Sequence, residues 1–305
     1  MKNPHSKLYD LADPTDANAV LDEVQRIAKS LGLSGAAKTI RIVHAEVESL
    51  FLGKSPHYRA SNTSYHDLEH TLSVVLATGR LLHGCALLGK YCPQHPFLLG
   101  ILAAYFHDTG LIQDKNDTQG TGAKHTVGHE MRSVAVMRTL LTPHGLTEQD
   151  MRDAQDMILC TELARDPSTI PFRTPETAQV GLILGTADLM AQIADRSYLE
   201  KLPRLFQEFE EAGLPGFSSE MDLLRNTISF YEHVAMTRLE GPLGGKTHYM
   251  IHHFRDRYGI DSDLYAEAIE RNMKHLQQGL ATCGDSYECL MGLLKRSSSR
   301  NSNVA

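Results

Sequence analysis

Apolar residues recur every three or four positions along almost the entire chain, and no stretch of strict apolar and polar alternation is long enough to indicate a β-strand. The pattern therefore predicts an all-α fold. Three residues with short polar side chains, Thr15, Thr147 and Ser219, are expected to cap helices. We predict helices over approximately residues 16–31, 36–53, 66–90, 96–108, 125–142, 147–163, 176–193, 197–213, 219–239, 246–258 and 262–281.

One internal segment interrupts this helical pattern. Residues 110–124 are rich in Gly, Asp, Asn, Gln and Thr and form the longest predicted loop. Loops of this length inside a compact domain often have a function. We therefore expect a substrate lid here, and we expect the polar residues 297–305 to form a disordered tail.

Composition limits the classes of protein to which the chain can belong. Of its 305 residues 42% are hydrophobic, enough for a sizeable core, and its net charge of −7 gives no general attraction to nucleic acid or anionic lipid. No apolar run approaches the roughly 20 residues that span a membrane, and residues 1–10 lack the apolar core of a secretory signal. Five cysteines without CxxC spacing argue against a disulfide framework and a zinc ribbon. We expect a cytoplasmic protein.

Histidine is unusually frequent, with 16 copies concentrated between His66 and His129. Histidine is the commonest metal ligand and titrates near neutral pH. The first pair, His66 and His70, stands in the string YHDLEH at the predicted start of an amphipathic helix. Their four-residue separation is expected to place both imidazoles on the apolar face, where each needs a polar partner. Two buried histidines bonded to backbone carbonyls fit this pattern equally well.

Two further elements place acids beside apolar helices. His107-Asp108 follows a nearly unbroken apolar run that begins at Phe97, and Asp188 is the only charge in the apolar stretch 180–191. A buried carboxylate is costly unless it is paired or binds a metal, although Asp188 could also cap a helix or pair with an arginine. Two imidazoles and two carboxylates together indicate a divalent metal site, and such mixed ligands suit Mn, Mg, Fe, Co, Ni or Zn.

A fourth element, His125 to Glu130, opens the helix after the long loop. His125 and His129 again share the four-residue spacing, and Glu130 adds an acid beside them. His129 and Glu130 are candidate ligands of a second ion, directly or through waters. A surface helix start, whose dipole favours an acid, fits the same residues.

The order of these residues resembles a known signature: His70, the His107-Asp108 pair and Asp188 look like the H…HD…D pattern of the HD phosphohydrolase superfamily. The resemblance covers approximately residues 62–195. The strings YHDLEH, AAYFHDTG, HEMRSVAV and TADL are similar to those of predicted bacterial metal-dependent HD phosphohydrolases, and more distantly to cyclic nucleotide phosphodiesterases, which carry a similar Tyr-His-x3-His. The resemblance implies an HD-domain-like helical bundle, with these four residues as metal ligands and His66 as a general acid.

Two departures narrow the expected substrate. No Gly-Tyr-Pro follows the later histidine, which removes support for cleavage of cyclic dinucleotides. Leu111 stands where the cyclic nucleotide enzymes carry a further histidine. We therefore expect a phosphohydrolase that uses one or two divalent ions and a metal-activated water on a phosphomonoester or phosphodiester of a nucleotide. We expect no nucleic acid polymer and no membrane as partner, and the sequence does not indicate an oligomeric state. The candidate catalytic residues are His66, Asp108 and Glu130, the candidate metal ligands are His70, His107, Asp108, Asp188 and His129, and Lys124 and Arg132 are candidate phosphate contacts.

The resemblance also suggests how the chain is organised. We expect N-terminal helices packed on the core over 1–60, the HD metal-binding catalytic core over 61–195, and a C-terminal helical region that completes the pocket over 196–296, before the tail 297–305.

Two alternatives remain open. The stretch from His66 to His70 matches the H-x-x-E-H motif of inverted zinc proteases, in which both histidines bind zinc and Glu69 activates water. That motif leaves His107-Asp108 and Asp188 without a role. The second alternative is a protein of the same fold that binds a nucleotide as a sensor and has lost turnover.

Overall fold

The computed structural model describes residues 7–90 and 93–295. The regular structure in these residues is helical, which confirms the all-α prediction, and their only β contact is one antiparallel bridge between Tyr58 and Asp114. The α-helices are α1 (Ala17–Ser30), α2 (Ala37–Phe51), α3 (Leu68–Leu87), α4 (Gln94–Phe106), α5 (His129–Leu141), α6 (Glu148–Ile158), α7 (Pro175–Ala194), α8 (Tyr198–Glu211), α9 (Glu220–Phe230), α10 (Met236–Glu240), α11 (Tyr249–Tyr258), α12 (Leu264–Cys283) and α13 (Tyr287–Leu294).

The helix starts follow the capping chemistry in the sequence, with one correction. Thr147 and Ser219 cap α6 and α9 as predicted, since their side chains accept hydrogen bonds from the first turn. α1 is capped by Asp16 and not by Thr15, because the Asp16 carboxylate accepts the backbone N–H groups of the residues two and three positions later. A π-helical turn over Tyr231–Ala235 separates α9 from α10, where one continuous helix was predicted.

The sequence patterns missed α13 and its link to α12. This helix has only eight residues, too few to show a clear apolar period. A disulfide joins Cys283 to Cys289 across the turn that separates the two helices, so the expectation of unpaired cysteines was wrong for this pair. Cys85 and Cys160 are free and buried. The predicted disordered tail lies outside the described residues.

α3 is the central helix of the fold. Every residue from His70 to Cys85 is buried, and the helix packs against α1, α4, α7 and α11. α4 and α7 are almost as fully buried, and a helix that is apolar on all sides must be covered on all sides. Polar side chains on these helices are therefore enclosed by the core. Among the described residues no helix is long and apolar enough to cross a membrane.

Candidate metal centre

Three buried segments bring the predicted metal ligands together. His70 lies in the first turn of α3, His107 and Asp108 directly follow α4, and Asp188 lies in α7. α3 packs against both α4 and α7, so the four side chains converge although 118 positions separate the first from the last.

The distances between their polar atoms are short. Nε2 of His70 lies 3.3 Å from Asp108 Oδ2 and 3.3 Å from Asp188 Oδ1, and Nε2 of His107 lies 3.2 Å and 3.5 Å from the same two oxygens. The two Nε2 atoms are 3.4 Å apart. Asp188 contacts both imidazoles but is not in the group of His70, His107 and Asp108 whose ligand atoms all lie within 4.8 Å of one another.

The distances between these polar atoms fit joint coordination of a divalent metal better than direct hydrogen bonds between the side chains. Ligand atoms about 2.0–2.2 Å from one ion lie roughly 3–3.5 Å apart in tetrahedral or octahedral geometry. His107 Nδ1–H donates to the carbonyl of Ala104 at 2.8 Å, which leaves a lone pair on Nε2 facing the carboxylates. Asp108 Oδ2 is buried and has no hydrogen-bond partner among the described residues. A lone pair and an unpaired carboxylate oxygen at one point require a cation between them or a proton.

The histidines and aspartates of the cluster shift one another's pKa. Burial lowers the pKa of His70, but the adjacent carboxylates of Asp108 and Asp188 outweigh it and raise that pKa to about 9. The same balance between burial and the two carboxylates raises the pKa of His107 well above its usual value. Burial raises the pKa of Asp188, but hydrogen bonds from His107 and His70 bring it below its usual value. The site is therefore built to hold positive charge between two anions.

Asp108 also reaches the fourth element of the sequence. Its Oδ1 lies 3.2 Å from His129 Nε2, while Oδ2 faces His70 and His107. His129 Nδ1–H donates to the carbonyl of Thr126 at 2.8 Å, so this imidazole is also oriented with Nε2 toward a carboxylate. Glu130 is buried and its Oε2 lies 3.6 Å from His129 Nδ1. One carboxylate thus connects the two predicted ligand groups.

The prediction that the two members of each histidine pair share one helix face was wrong, because the first member of each pair precedes the α-helix that carries the second. α3 starts at Leu68 with Asp67 as its cap, so His66 precedes the helix that carries His70. His125 ends a short 3₁₀ turn (Gly122–His125) that precedes α5, and its Nε2 contacts Asp117 at 3.2 Å.

His66 is held by a residue that the sequence did not reveal. Its Nδ1 lies 2.6 Å from Oε2 of Glu208, a buried acid in α8, and Oε1 of Glu208 accepts the backbone N–H of Tyr65 at 2.7 Å. The His66 ring is 5.8 Å from the His70 ring and 6.5 Å from the His129 ring, centre to centre. His66 therefore lies beside the candidate centre with one nitrogen fixed by a carboxylate.

Gly110 allows the His107-Asp108 turn to pack against α5. A Cβ on Gly110 would lie 2.0 Å from the carbonyl oxygen of His129, which no side chain permits. Ser133 of α5 fixes the same turn: its hydroxyl donates to the carbonyl of His107 at 2.5 Å and accepts the N–H of Gly110 at 2.8 Å.

The long loop is anchored to the body of the protein. Asn62 donates to Gln113 Oε1 at 2.9 Å and accepts the N–H of Gly122 at 2.9 Å. Lys124 Nζ pairs with Asp117 at 2.5 Å, and Arg132 Nε donates to the carbonyl of Gly110 at 2.8 Å. Lys124 and Arg132, the candidate phosphate contacts, thus already have partners in the loop. Their contact with a phosphate stays a prediction, and it would require them to leave these partners.

Glu69, which would activate water in the zinc-protease motif, is paired with a lysine. Glu69 Oε1 accepts a hydrogen bond from Lys201 Nζ at 3.1 Å, and Lys201 also donates to Asp195 at 2.7 Å. Glu69 is therefore part of an ion-pair network between α3 and α8.

The fold and this cluster define an all-α protein with a buried histidine and aspartate group suited to a metal ion. A comparison with protein-family models matches residues 54–244, more than half of the chain, to the Npun_R2479-like family, and the chain belongs to that family. The matched region includes every candidate residue from His66 to Asp188, but the family's description names no activity. No curated protein matches the sequence.

Proposed function

We propose that the protein is a metal-dependent phosphohydrolase of the HD type that hydrolyses a phosphomonoester or phosphodiester of a nucleotide. The observation that carries this proposal is the buried group in which Nε2 of His70 and Nε2 of His107 each lie 3.2–3.5 Å from oxygens of Asp108 and Asp188. The order of these ligands along the chain resembles the H…HD…D signature, and their convergence is what that signature requires.

These four side chains would hold a divalent ion, which would lower the pKa of a coordinated water far below that of bulk water, to roughly 7, and would neutralise charge on phosphoryl oxygens. The ligand types suit Mn, Mg, Fe, Co, Ni or Zn. Asp108 Oδ1 and His129 Nε2, 3.2 Å apart, and the adjacent Glu130 are positioned to hold a second ion, directly or through waters. Asp108 would then be a ligand of both ions.

His66 is the proposed proton donor to the leaving oxygen. Glu208 holds Nδ1 at 2.6 Å and so fixes the ring, which leaves Nε2 as the nitrogen that can deliver a proton. Glu208 acts through His66 and is therefore a positioning residue. The proton leaves Nε2, and the bond to Glu208 keeps the imidazole in one orientation during the transfer.

The geometry favours this proposal over the zinc protease. In a protease of the H-x-x-E-H type, His66 would bind the metal and Glu69 would activate water. Here Glu208 engages His66, and Lys201 engages Glu69. The sensor alternative has the same fold and ligands, so only a measurement of turnover separates it from an enzyme.

The test combines metal analysis with turnover. We expect the purified protein to bind a divalent metal and to hydrolyse members of a panel of nucleotide monoesters and diesters with Mn²⁺, Mg²⁺, Co²⁺ or Ni²⁺ present. Asp188→Asn removes an anion while keeping the side-chain shape, so bound metal and activity should fall together. Full metal occupancy in Asp188→Asn would show that this acid has another purpose.

Two neighbouring variants separate the enzyme classes. His66→Ala should keep its metal and lose about 10²–10⁴-fold in rate, the usual contribution of a general acid. Glu69→Gln is the matched control, with metal content and turnover close to those of the wild type. Loss of metal in His66→Ala together with an inactive Glu69→Gln would support the protease, and metal binding without turnover on the whole panel would support the sensor.

A further inference from the structure

Arg80 is a buried cation that forms no ion pair with an acid among the described residues. It lies in the middle of α3 with none of its surface exposed. Nη1 donates to the hydroxyl of Tyr265 at 3.1 Å, but Nε and Nη2 have no hydrogen-bond partner among the described residues. Glu23, an acid whose charge acts on Arg80, is bound to Arg257 and Tyr258. A buried charge without a counter-ion is among the costliest features that a core can contain.

The two unpaired groups are the pair that normally grips an anion. Nε–H and Nη2–H of a guanidinium point the same way and bind one anion side by side. Three other arginines of this chain use that same pair of nitrogens for a carboxylate: Arg173 with Asp153, Arg255 with Asp261, and Arg257 with Glu23. Arg80 is more deeply buried than these three and holds no carboxylate there.

A small cavity lies against Arg80. Arg80, Ser73 and Tyr265 are among its lining residues, and Leu8, Tyr9, Ala12 and Pro14 line it from the N-terminal segment. It has room for about one water-sized particle. The guanidinium carbon lies 5.5 Å from the centre of the Phe254 ring and 5.7 Å from that of Tyr265, so aromatic faces support the cation from other directions.

We infer that Arg80 and this cavity bind a small monovalent anion of about the size of chloride. Nε–H and Nη2–H donate to it, and Ser73 lines the same space. A water molecule would satisfy the two N–H groups but would leave the charge unbalanced, and a nucleotide is too large to enter. None of the lining residues is a candidate metal ligand, so this site is separate from the proposed phosphohydrolase centre.

The test compares thermal unfolding of the full chain in sodium chloride and in sodium gluconate at equal ionic strength, with EDTA present so that chloride cannot act at a bound metal. Gluconate is too large for the cavity. An anion that binds only the folded state raises stability, so we expect chloride to raise Tm by about 2–4 °C with saturation. In Arg80→Met, which replaces the cation by an apolar side chain of similar length, this chloride-specific shift should be absent. Arg173→Met, at a half-exposed arginine that already has Asp153, should retain it.

Equal Tm values of the wild type in both salts would overturn the inference, as would an undiminished chloride shift in Arg80→Met. If Arg80→Met does not fold, crystals grown in sodium bromide decide the question. An anomalous bromide peak beside Nε and Nη2 supports the anion site, and a cavity that scatters only as water overturns it.

Discussion

Two imidazoles at the candidate centre, those of His107 and His129, each have Nδ1 fixed by a backbone carbonyl. Nδ1–H of His107 and of His129 donate to backbone carbonyls of Ala104 and Thr126, three residues earlier in each case. These local bonds determine the tautomer and point the Nε2 lone pairs at carboxylate oxygens. This orientation leaves both Nε2 atoms free to bind a cation, as the proposed function requires.

Another buried histidine pair allows a prediction on pH. Nδ1 of His83 and Nδ1 of His253 lie 3.2 Å apart, and His83 Nε2 lies 3.8 Å from Asp256. Burial lowers the pKa of both, and the charges of Arg80, His83 and Arg257 lower that of His253 further. The unfolded chain takes up these protons near pH 6.5 and the folded chain does not, so stability is present above about pH 6.5 and is lost as the pH falls.

We expect His253→Phe, which keeps a ring but cannot titrate, to reduce the loss of stability between pH 7 and pH 5 by up to about 1.4 kcal/mol per pH unit. Urea unfolding of the metal-free protein at several pH values measures this slope. His233→Phe, at an exposed histidine, is the control and should follow the wild type. Identical slopes in His253→Phe and the wild type would contradict the assignment.

At the scale of elements, the contact between α3 and α11 depends on one glycine. A Cβ at Gly84 would lie 1.9 Å from the carbonyl oxygen of Tyr249, an atom of the backbone that cannot turn aside. Gly84→Ala should therefore separate the two helices and lower the free energy of unfolding by about 1–3 kcal/mol, as overpacking usually does. Urea denaturation tests this.

The matched control is Gly292→Ala in α13, where nothing lies within 4 Å of the added Cβ. Alanine is favoured over glycine inside a helix by roughly 0.5–1 kcal/mol, so this variant should be as stable as the wild type or more stable. A Gly84→Ala protein that matched Gly292→Ala in stability would refute the close contact.

The helices that carry the candidate centre were predictable because their apolar runs are long. The positions of α3, α4 and α7, and the convergence of His70, His107 and Asp108, followed from polar residues in buried segments. The side-chain directions at the helix starts were not predictable, because Asp67 caps α3 and the helix begins only after His66. In general, periodicity places a residue on a face only once the helix has begun.

Glu208 is a charged residue on the apolar face of its helix, and this position is visible in the sequence. In α8, Lys201 and Glu208 are seven residues apart and both are buried, so they share one face of an otherwise amphipathic helix. Lys201 holds Glu69 and Glu208 holds His66, and both partners belong to the YHDLEH string. A charge on an apolar helix face predicts a buried partner, but the sequence does not say which of the residues more than 100 positions away it is.

The region that matches the family model is shorter than the set of helices that pack together. The match covers residues 54–244, but α1 and α11, which pack on α3, lie outside it. A fragment of residues 54–244 would expose apolar surface of the most buried helix in the protein. We expect this fragment to lack the cooperative thermal transition of the full chain, measured by circular dichroism. A fragment with the same sharp transition would show that the matched region folds without its flanking helices.

The central position of α3 also has a consequence for the order of events during synthesis. This helix ends at Leu87 and one of its packing partners, α11, ends at Tyr258, which is 171 residues later by subtraction. A ribosome that adds about 5–20 residues per second needs roughly 10–30 s to cover that distance. Throughout that interval the helix that bears His70 has left the ribosome without its final cover, and the nascent chain presents to the cell a hydrophobic surface that the finished protein hides.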